Sequence, residues 1–243
     1  MKKLYPLVLA ALLMGPTLQA HPKFPLVIAS SYQRLADPEV RDFKGVTVQG
    51  PIDVLVKMGN TESIHMEGDE EAIASLVIEV RSGILIIRPK ASITSWAKKY
   101  ENKKITAHVS AKTLTSLVVS GNSTLQVNGT VEATSLATTL SGSGKITATV
   151  NTGTLTSVIS GSGFLDIKGT ADKADVTMSG AGRFSGKSLK VDVLNARMSG
   201  AGQVNIHADE SIDALISGSG QVNYSGNASV KKRVLGSGGV HKI

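Results

Sequence analysis

The amino-acid sequence predicts an all-β protein, a single-stranded parallel β-helix or solenoid with about seven coils of about 19 residues. Two observations support this fold class. A Ser-Gly-x-Gly tetrapeptide, degenerate in its first and last copies, recurs seven times, with intervals of 21, 19, 19, 20, 18 and 18 residues between successive first glycines. Apolar residues alternate with polar ones on both sides of each tetrapeptide, as in strands that have one buried face.

Each tetrapeptide is interpreted as a corner at which one coil ends and the next begins. Glycine suits a corner because it has no Cβ atom and adopts backbone angles that other residues avoid. A barrel or a sandwich, the alternative fold, does not need the same corner in every repeat, whereas a solenoid stacks like corners about 4.8 Å apart. The predicted turn residues are the first glycines of the seven corners: Gly121, Gly142, Gly161, Gly180, Gly200, Gly218 and Gly236.

Residues 1–20 have the features of a secretory signal peptide. Lys2 and Lys3 precede an apolar stretch from Leu4 to Leu13, and Ala20 offers a cleavage position. The apolar stretch is too short to span a bilayer, so no transmembrane anchor is expected. We therefore expect export to the periplasm, the cell surface or the medium. The sequence contains no cysteine, so disulfide bonds are excluded even in an oxidising compartment.

The remainder of the chain is divided into three parts. Residues 21–42 are expected to be loosely ordered, residues 43–105 to form a β-rich cap, and residues 106–243 to form the repeat solenoid. A cap is expected because the terminal coil of a solenoid exposes unpaired strand edges and one end of the core.

The cap and the corners occur together in an order that is typical of one family. The segment Phe43–Val54 is followed by the strand Gly83–Ile87 and then by the Ser-Gly-x-Gly corners. This order resembles the bacterial "putative auto-transporter adhesin, head GIN domain" family of exported proteins, over about residues 40–240. The resemblance implies a β-helical fold, a signal sequence and an adhesin-like role. It carries no catalytic motif to this sequence, and no cofactor is expected.

Acidic side chains distinguish coils four to six from the other coils. They fall at positions −8 and −5 from the first glycine of each corner. Position −8 is occupied by Asp172, Asp192 and Glu210, and position −5 by Asp175, Asn195 and Asp213. If the coils stack in this register, the side chains lie about 5 Å apart along one face. Three interpretations remain open: a solvated acidic edge, a Ca²⁺ site formed by the five carboxylates, and a polysaccharide-cleaving site.

A basic and aromatic segment, Ala91–Lys104, separates the cap from the solenoid. It is predicted to be a loop or short helix that projects from the strands. Its candidate ligand-binding residues are Trp96, Lys98, Lys99, Tyr100, Lys103 and Lys104. The aromatic rings would stack on sugars or lie at a membrane surface, and the lysines would contact phosphates or carboxylates. The alternative is a solvated lysine-rich loop.

Export, repetition and the lack of a catalytic constellation favour a non-enzymatic envelope or surface protein. We expect an adhesin-like binding or scaffold module whose partners are envelope or host polysaccharides or proteins, and no nucleic-acid partner. No Gly-x-Ser-x-Gly motif occurs, and the five histidines are dispersed. Two alternatives are a polysaccharide-active enzyme that uses Asp172, Asp192 and Asp213, and a structural protein that forms homo-oligomers through its terminal coil.

Overall fold

The computed structural model describes residues 38–243, so the predicted signal peptide and most of the 21–42 segment lie outside the described residues. The described chain contains 15 strands in one sheet that winds into a solenoid, together with two short helices. Repeat strands pair in parallel throughout, which confirms the predicted β-helical fold. Neither helix of residues 38–243 has the length and hydropathy that a bilayer crossing requires.

The elements fall into a cap region and a repeat region. The cap region contains β1 (Gly45–Gln49), β2 (Asp53–Met58), β3 (Ser63–Gly68), α1 (Glu70–Ala74), β4 (Leu76–Arg81), β5 (Ile84–Pro89), α2 (Ile93–Lys99) and β6 (Ile105–Ala111). The repeat region contains β7 (Ser116–Gly121), β8 (Thr124–Gly142), β9 (Lys145–Gly161), β10 (Phe164–Gly180), β11 (Arg183–Gly200), β12 (Gln203–Gly218), β13 (Gln221–Ser225), β14 (Ser229–Leu235) and β15 (Gly239–Lys242).

The strands β8 to β12 are unusually long because each runs from one corner to the next. Their residues pair with the equivalent residues of the neighbouring coil, so that Gly142 lies beside Gly161 and Gly180 beside Gly200. The inward positions carry Leu, Ile, Val, Ala and Met, and these residues form one core that runs along the solenoid. Residues that are equivalent in the sequence repeat are therefore paired in the structure.

The two glycines of each corner serve different physical needs. All seven first glycines have positive φ angles, between +94° and +129°, which residues with a Cβ atom rarely adopt. The second glycine provides space, because a Cβ atom on Gly163 would lie 2.6 Å from Cδ2 of Leu140. In the first corner a serine, Ser123, occupies this second position, and its buried hydroxyl donates a hydrogen bond to the carbonyl of Gly50.

The cap contributes coils of its own, in an order that differs from the order along the chain. Strand β1 lies between β5 and β7, and β2 lies between β6 and β8. The turn at Gly50 stacks on the first repeat corner, where the Gly50 amide donates to the carbonyl of Ser120 at 3.1 Å. Strands β3 and β4 then pair antiparallel with β6 and β5. This reversal ends the parallel stack on the cap side.

The last coil ends differently. Both β13 and β14 pair with β12, and β15 pairs with β13. Among the described strands, β14 and β15 each have one partner, so one backbone edge of each stays unpaired. Six of the seven residues of β14 are exposed, and Val234 is half-buried.

Candidate functional site

The predicted acidic row at position −5 is formed in the structure. Asp175 pairs with Asn195, and Asn195 pairs with Asp213. At position −8, the pairing of Ala171 with Val191 and of Lys173 with Val193 sets Asp172 beside Asp192. The register between β11 and β12 shifts between Val191 and Val193, so Glu210 lies at an irregularity.

The carboxylate of Asp175, the less exposed of the two in the −5 row, has hydrogen-bond and ion-pair partners within the protein. The side-chain amide of Asn195 donates to Oδ1 of Asp175 at 2.7 Å, and Nζ of Lys173 lies 3.0 Å from Oδ2. Burial acts to raise the pKa of Asp175, but the Asn195 hydrogen bond and the Lys173 ammonium outweigh burial and hold this pKa below its usual value. Asp175 is thus a structural carboxylate.

The predicted Ca²⁺ site is not formed. Within residues 38–243, no three carboxylate or histidine side chains lie close enough together to hold a metal ion. The five proposed ligands are Asp172, Asp175, Asp192, Glu210 and Asp213. They are distributed over two rows and three strands, and Asp175 already pairs with Lys173 and Asn195. The three carboxylates proposed for polysaccharide cleavage are spread over the same two rows.

The basic and aromatic segment also differs from its prediction. It forms α2, but the helix packs inward, and the side chains of Trp96 and Tyr100 are only 3% and 5% exposed. The indole Nε1 of Trp96 donates to Oγ of Ser75 at 2.6 Å, and the two aromatic rings lie 5.1 Å apart. Buried rings cannot stack on a sugar or contact a membrane, so this part of the hypothesis is wrong.

Two of the four candidate lysines in that segment form ion pairs with other elements of the cap. Nζ of Lys99 lies 2.7 Å from Glu71, and Nζ of Lys103 lies 2.7 Å from Asp69, which caps α1. The hydrogen bond from Lys103 and that from the Ala72 amide lower the pKa of Asp69. Lys99 likewise lowers the pKa of Glu71. Lys98 and Lys104 remain exposed.

A groove on the last coils contains Asp213, one of the predicted acidic residues, together with residues that were not predicted to belong to a site. It has a volume of about 440 Å³ and is lined by three consecutive residues from each of β11, β12 and β14. We call it the terminal groove, and its lining residues are Asn195, Ala196, Arg197, Asp213, Ala214, Leu215, Lys231, Lys232 and Arg233. Ala196 and Ala214 are buried, so the neighbouring side chains in these strands point outward.

Two outward rows form the walls of the terminal groove. The pairing register extends the −5 row to Lys231, and it aligns Arg197, Leu215 and Arg233 in a second row at position −3. Adjacent members of a row lie about 4.8 Å apart, since they occupy neighbouring strands. Leu215 is 40% exposed between the two arginines.

The charge of the terminal groove is predominantly positive. Its two outward rows carry three cationic side chains, Arg197, Lys231 and Arg233, and one carboxylate, Asp213. Lys232 also borders the groove, at the exposed end of the inward row that contains Ala196 and Ala214. Nζ of Lys231 lies 3.9 Å from Asp213, and both side chains are largely exposed. Among residues 38–243, Lys232 and Arg233 have no carboxylate within 4 Å. The arrangement can therefore bind an extended anion, with Leu215 as an apolar contact.

A signal for the missed residues was present in the sequence. Positions −8 and −5 attract attention because their residues are acidic, whereas position −3 changes from Thr177 to Arg197, Leu215 and Arg233. Counting cations at this position would have found the second row. It would not have found the groove, because its shape depends on the lengths of neighbouring outward side chains on three stacked strands.

Comparisons with known proteins support the fold and identify a family. The model of the family described as "Putative auto-transporter adhesin, head GIN domain" matches residues 42–228. No curated protein matches the sequence.

Solved bacterial structures are similar over most of the chain. A structure described as a putative adhesin from Bacteroides fragilis has a TM-score of 0.74 at 20% identity, over 85% of this chain and 95% of that chain. A putative adhesin from Parabacteroides distasonis has a TM-score of 0.68 at 22% identity, with the same coverage. A putative lipid binding protein from Parabacteroides distasonis has a TM-score of 0.67 at 22% identity, also with this coverage. At these identities the similarity shows the fold.

Proposed function

Because the chain belongs to the family described as "Putative auto-transporter adhesin, head GIN domain", we propose that it is an exported, non-enzymatic, adhesin-like binding module. The solenoid acts as a rigid scaffold, and the module binds an extended polymer of the cell envelope or of a host. The observation that carries this proposal is the terminal groove, in which three stacked coils present two rows of outward side chains.

The stacking of coils supports binding to a polymer. In a solenoid each coil repeats the same surface about 4.8 Å from the previous one, so a row of side chains offers equally spaced contacts to a repeating ligand. The rows at −5 and −3 extend over three strands without a break in register near the groove. A ligand can therefore contact Arg197, Leu215 and Arg233 in succession.

Binding and cleavage are tested together with the protein that lacks residues 1–20. We expect this protein to co-sediment with at least one polysaccharide fraction from envelopes or host surfaces, without producing new reducing ends. New reducing ends that disappear in the triple variant Asp172→Asn, Asp192→Asn, Asp213→Asn would establish the enzyme instead. If the protein binds none of the polysaccharide and protein fractions, the proposal is contradicted.

Export is tested separately by tagging the C-terminus and fractionating cells. The tagged protein is expected outside the cytoplasm, with His21 as its N-terminal residue after signal-peptide cleavage. N-terminal sequencing of the exported protein checks the cleavage position. A protein that stays in the cytoplasm with Met1 intact contradicts the export part of the proposal.

Self-association through the terminal coil is a second candidate function. It is favoured by the unpaired edges of β14 and β15, since exposed strand edges pair with other strands. The three consecutive cations of β14, Lys231, Lys232 and Arg233, oppose it because two such edges repel each other. Sedimentation velocity at high protein concentration shows whether the protein is a monomer or an oligomer. A stable oligomer supports a structural role through self-association.

A further inference from the structure

We propose that the terminal groove binds an acidic polysaccharide, one whose carboxylates recur along the chain, and that Arg197 and Arg233 each bind one carboxylate. This inference rests on the proposed function, since it names the ligand class for the same surface. The polymer runs across β11, β12 and β14, and it follows the stacking direction of the coils.

The two arginines have the chemistry that this ligand requires. A guanidinium group presents a planar fork of N–H donors that matches a carboxylate, and such bidentate pairs are stronger and more specific than contacts with a lysine. Arg197 and Arg233 are exposed on the outer face of their strands. Within the described chain neither forms an ion pair within 4 Å, so both are available to a ligand.

The spacing of the arginines suits alternate sugars. Arg197 pairs with Leu215 and Leu215 pairs with Arg233, so the two arginines are separated by two strand spacings, roughly 10 Å. An extended β-linked sugar chain advances by about one strand spacing per ring. A polysaccharide with an acid on every second sugar therefore brings one carboxylate to each arginine and sets the intervening sugar on Leu215.

The remaining residues of the groove fit a sugar better than other anions. Leu215 offers an apolar contact to the C–H face of a ring, while Asp213 and Lys231 offer an acceptor and a donor to hydroxyl groups. None of the nine lining residues is aromatic, which disfavours single-stranded nucleic acid, because nucleic-acid grooves stack bases on aromatic side chains. The concave shape also disfavours the flat surface of a membrane.

The experiment measures binding of hyaluronan oligosaccharides, which carry a carboxylate on every second sugar, by isothermal titration calorimetry. The protein lacking residues 1–20 is titrated with the native oligosaccharide and with the same oligosaccharide after reduction of its carboxylates to alcohols. We expect binding of the native form that weakens with salt, and at least about tenfold weaker binding of the reduced form.

Two double variants make the assignment specific. Arg197→Gln with Arg233→Gln is expected to weaken binding by about tenfold or more, and Arg197→Lys with Arg233→Lys by an intermediate factor, because lysine keeps the charge but loses the fork. The matched control, Lys187→Gln with Lys190→Gln, removes two exposed cations of β11 outside the groove and is expected to change binding less than about twofold. Far-ultraviolet circular dichroism of every variant confirms folding.

Three other results would overturn the inference, and each shows whether the proposed function fails with it. Equal binding of native and reduced oligosaccharides, or no effect of the arginine variants, overturns the acidic ligand while the proposed polymer-binding function stands. Equal or tighter binding of a DNA oligonucleotide or of phosphatidylglycerol vesicles, with the same loss in the arginine variants, assigns the groove to a different anion. If the protein binds no polysaccharide or protein fraction at all, the proposed function fails together with the inference.

Discussion

The two ends of the solenoid differ in how the strands and charged residues of the last coil are arranged. Both carry lysine-rich segments beside the last coil of the stack. At the cap, β3 and β4 reverse direction, α2 buries Trp96, and Lys99 and Lys103 pair with carboxylates. At the other end, β14 keeps an unpaired edge, and Lys232 and Arg233 lack a close carboxylate among the described residues.

The difference teaches how the context of a lysine decides its role. A lysine that faces a carboxylate across two packed elements forms an ion pair that connects them, as Lys99 does with Glu71. A lysine on an unpaired strand edge leaves its charge available and discourages pairing with another strand. The first arrangement makes a cap, and the second makes a surface that is available for binding.

The largest expected effect comes from the cap. Trp96→Ala removes a large side chain that is 3% exposed, together with its hydrogen bond to Ser75, so we expect a loss of about 3–5 kcal/mol in the free energy of unfolding. Leu235→Ala at the open end, where the side chain is 62% exposed, is expected to cost less than about 0.5 kcal/mol. Urea denaturation followed by circular dichroism measures both. Equal losses would show that the two ends do not differ in packing.

The next effect concerns the corners. Gly180→Ala sets a Cβ atom at φ +111°, 2.6 Å from the carbonyl oxygen of Gly161, and is expected to cost about 1–3 kcal/mol. Gly236→Ala has the same strain in the last coil, but its cost should be smaller because fewer strands must move. Gly59→Ala is the control, since nothing lies within 4 Å of its Cβ position. A Gly236→Ala cost equal to that of Gly180→Ala would contradict a looser open end.

A smaller effect is expected from acid on the cap. The pKa values of Asp69 and Glu71 are lower in the folded protein than in the unfolded chain, so their contribution to stability is present above about pH 4 and is lost as the pH falls through the lowered values. Trp96 is the chain's single tryptophan and lies in the cap, so its fluorescence reports this region. The urea midpoint from fluorescence should fall from pH 6 to pH 3.

The control for this acid effect removes the partners of the two carboxylates. In the variant Lys99→Met with Lys103→Met, the midpoint should fall less over the same pH interval, because Asp69 and Glu71 then titrate nearer their ordinary values. An unchanged pH dependence in the variant would show that the ion pairs do not stabilise the cap.

The smallest expected effect on stability comes from Lys232→Val. Lys232 continues an inward row that contains Ala196 and Ala214, so valine fits the position and should change the free energy of unfolding by less than about 0.5 kcal/mol. Its effect should instead be on association, since the unpaired edge of β14 becomes less charged. Sedimentation velocity should show dimers or larger species. The control is Lys190→Val, which lies on a strand paired on both sides and should stay monomeric. If Lys232→Val is also monomeric, Lys232 does not protect the edge of β14 from association.

Much of the fold could be predicted from local pattern and period. The Ser-Gly-x-Gly intervals give the register, because a slip of one residue would move the apolar positions, such as Leu140 and Ile159, to the solvent face. The alignment of Asp175, Asn195 and Asp213 followed from the same count. The insertion of β1 between β5 and β7 was not predictable, since this pairing joins strands that are distant in sequence.

The candidate site was less accessible to sequence reasoning. Trp96 stands among lysines and a single glutamate, and nothing nearby in the sequence shows that Ser75 and β5 lie beside it in the fold. The terminal groove depends on three residues from each of three coils, and its hollow exists because Asp213 and Leu215 are shorter than the arginines and lysine around them. The depth of this groove depends on side chains that only the stacking of the coils brings together.

The sequence by itself determined the coils, the corners and the residues that share a row, because a solenoid converts a one-dimensional period directly into contacts between neighbours. Only the tertiary structure decided which charged residues are paired and which are available. Lys99 and Arg233 are equally polar in the sequence, but one faces Glu71 across the cap and the other borders an open strand edge. The pairing of charges depends on distances between elements that the period does not relate.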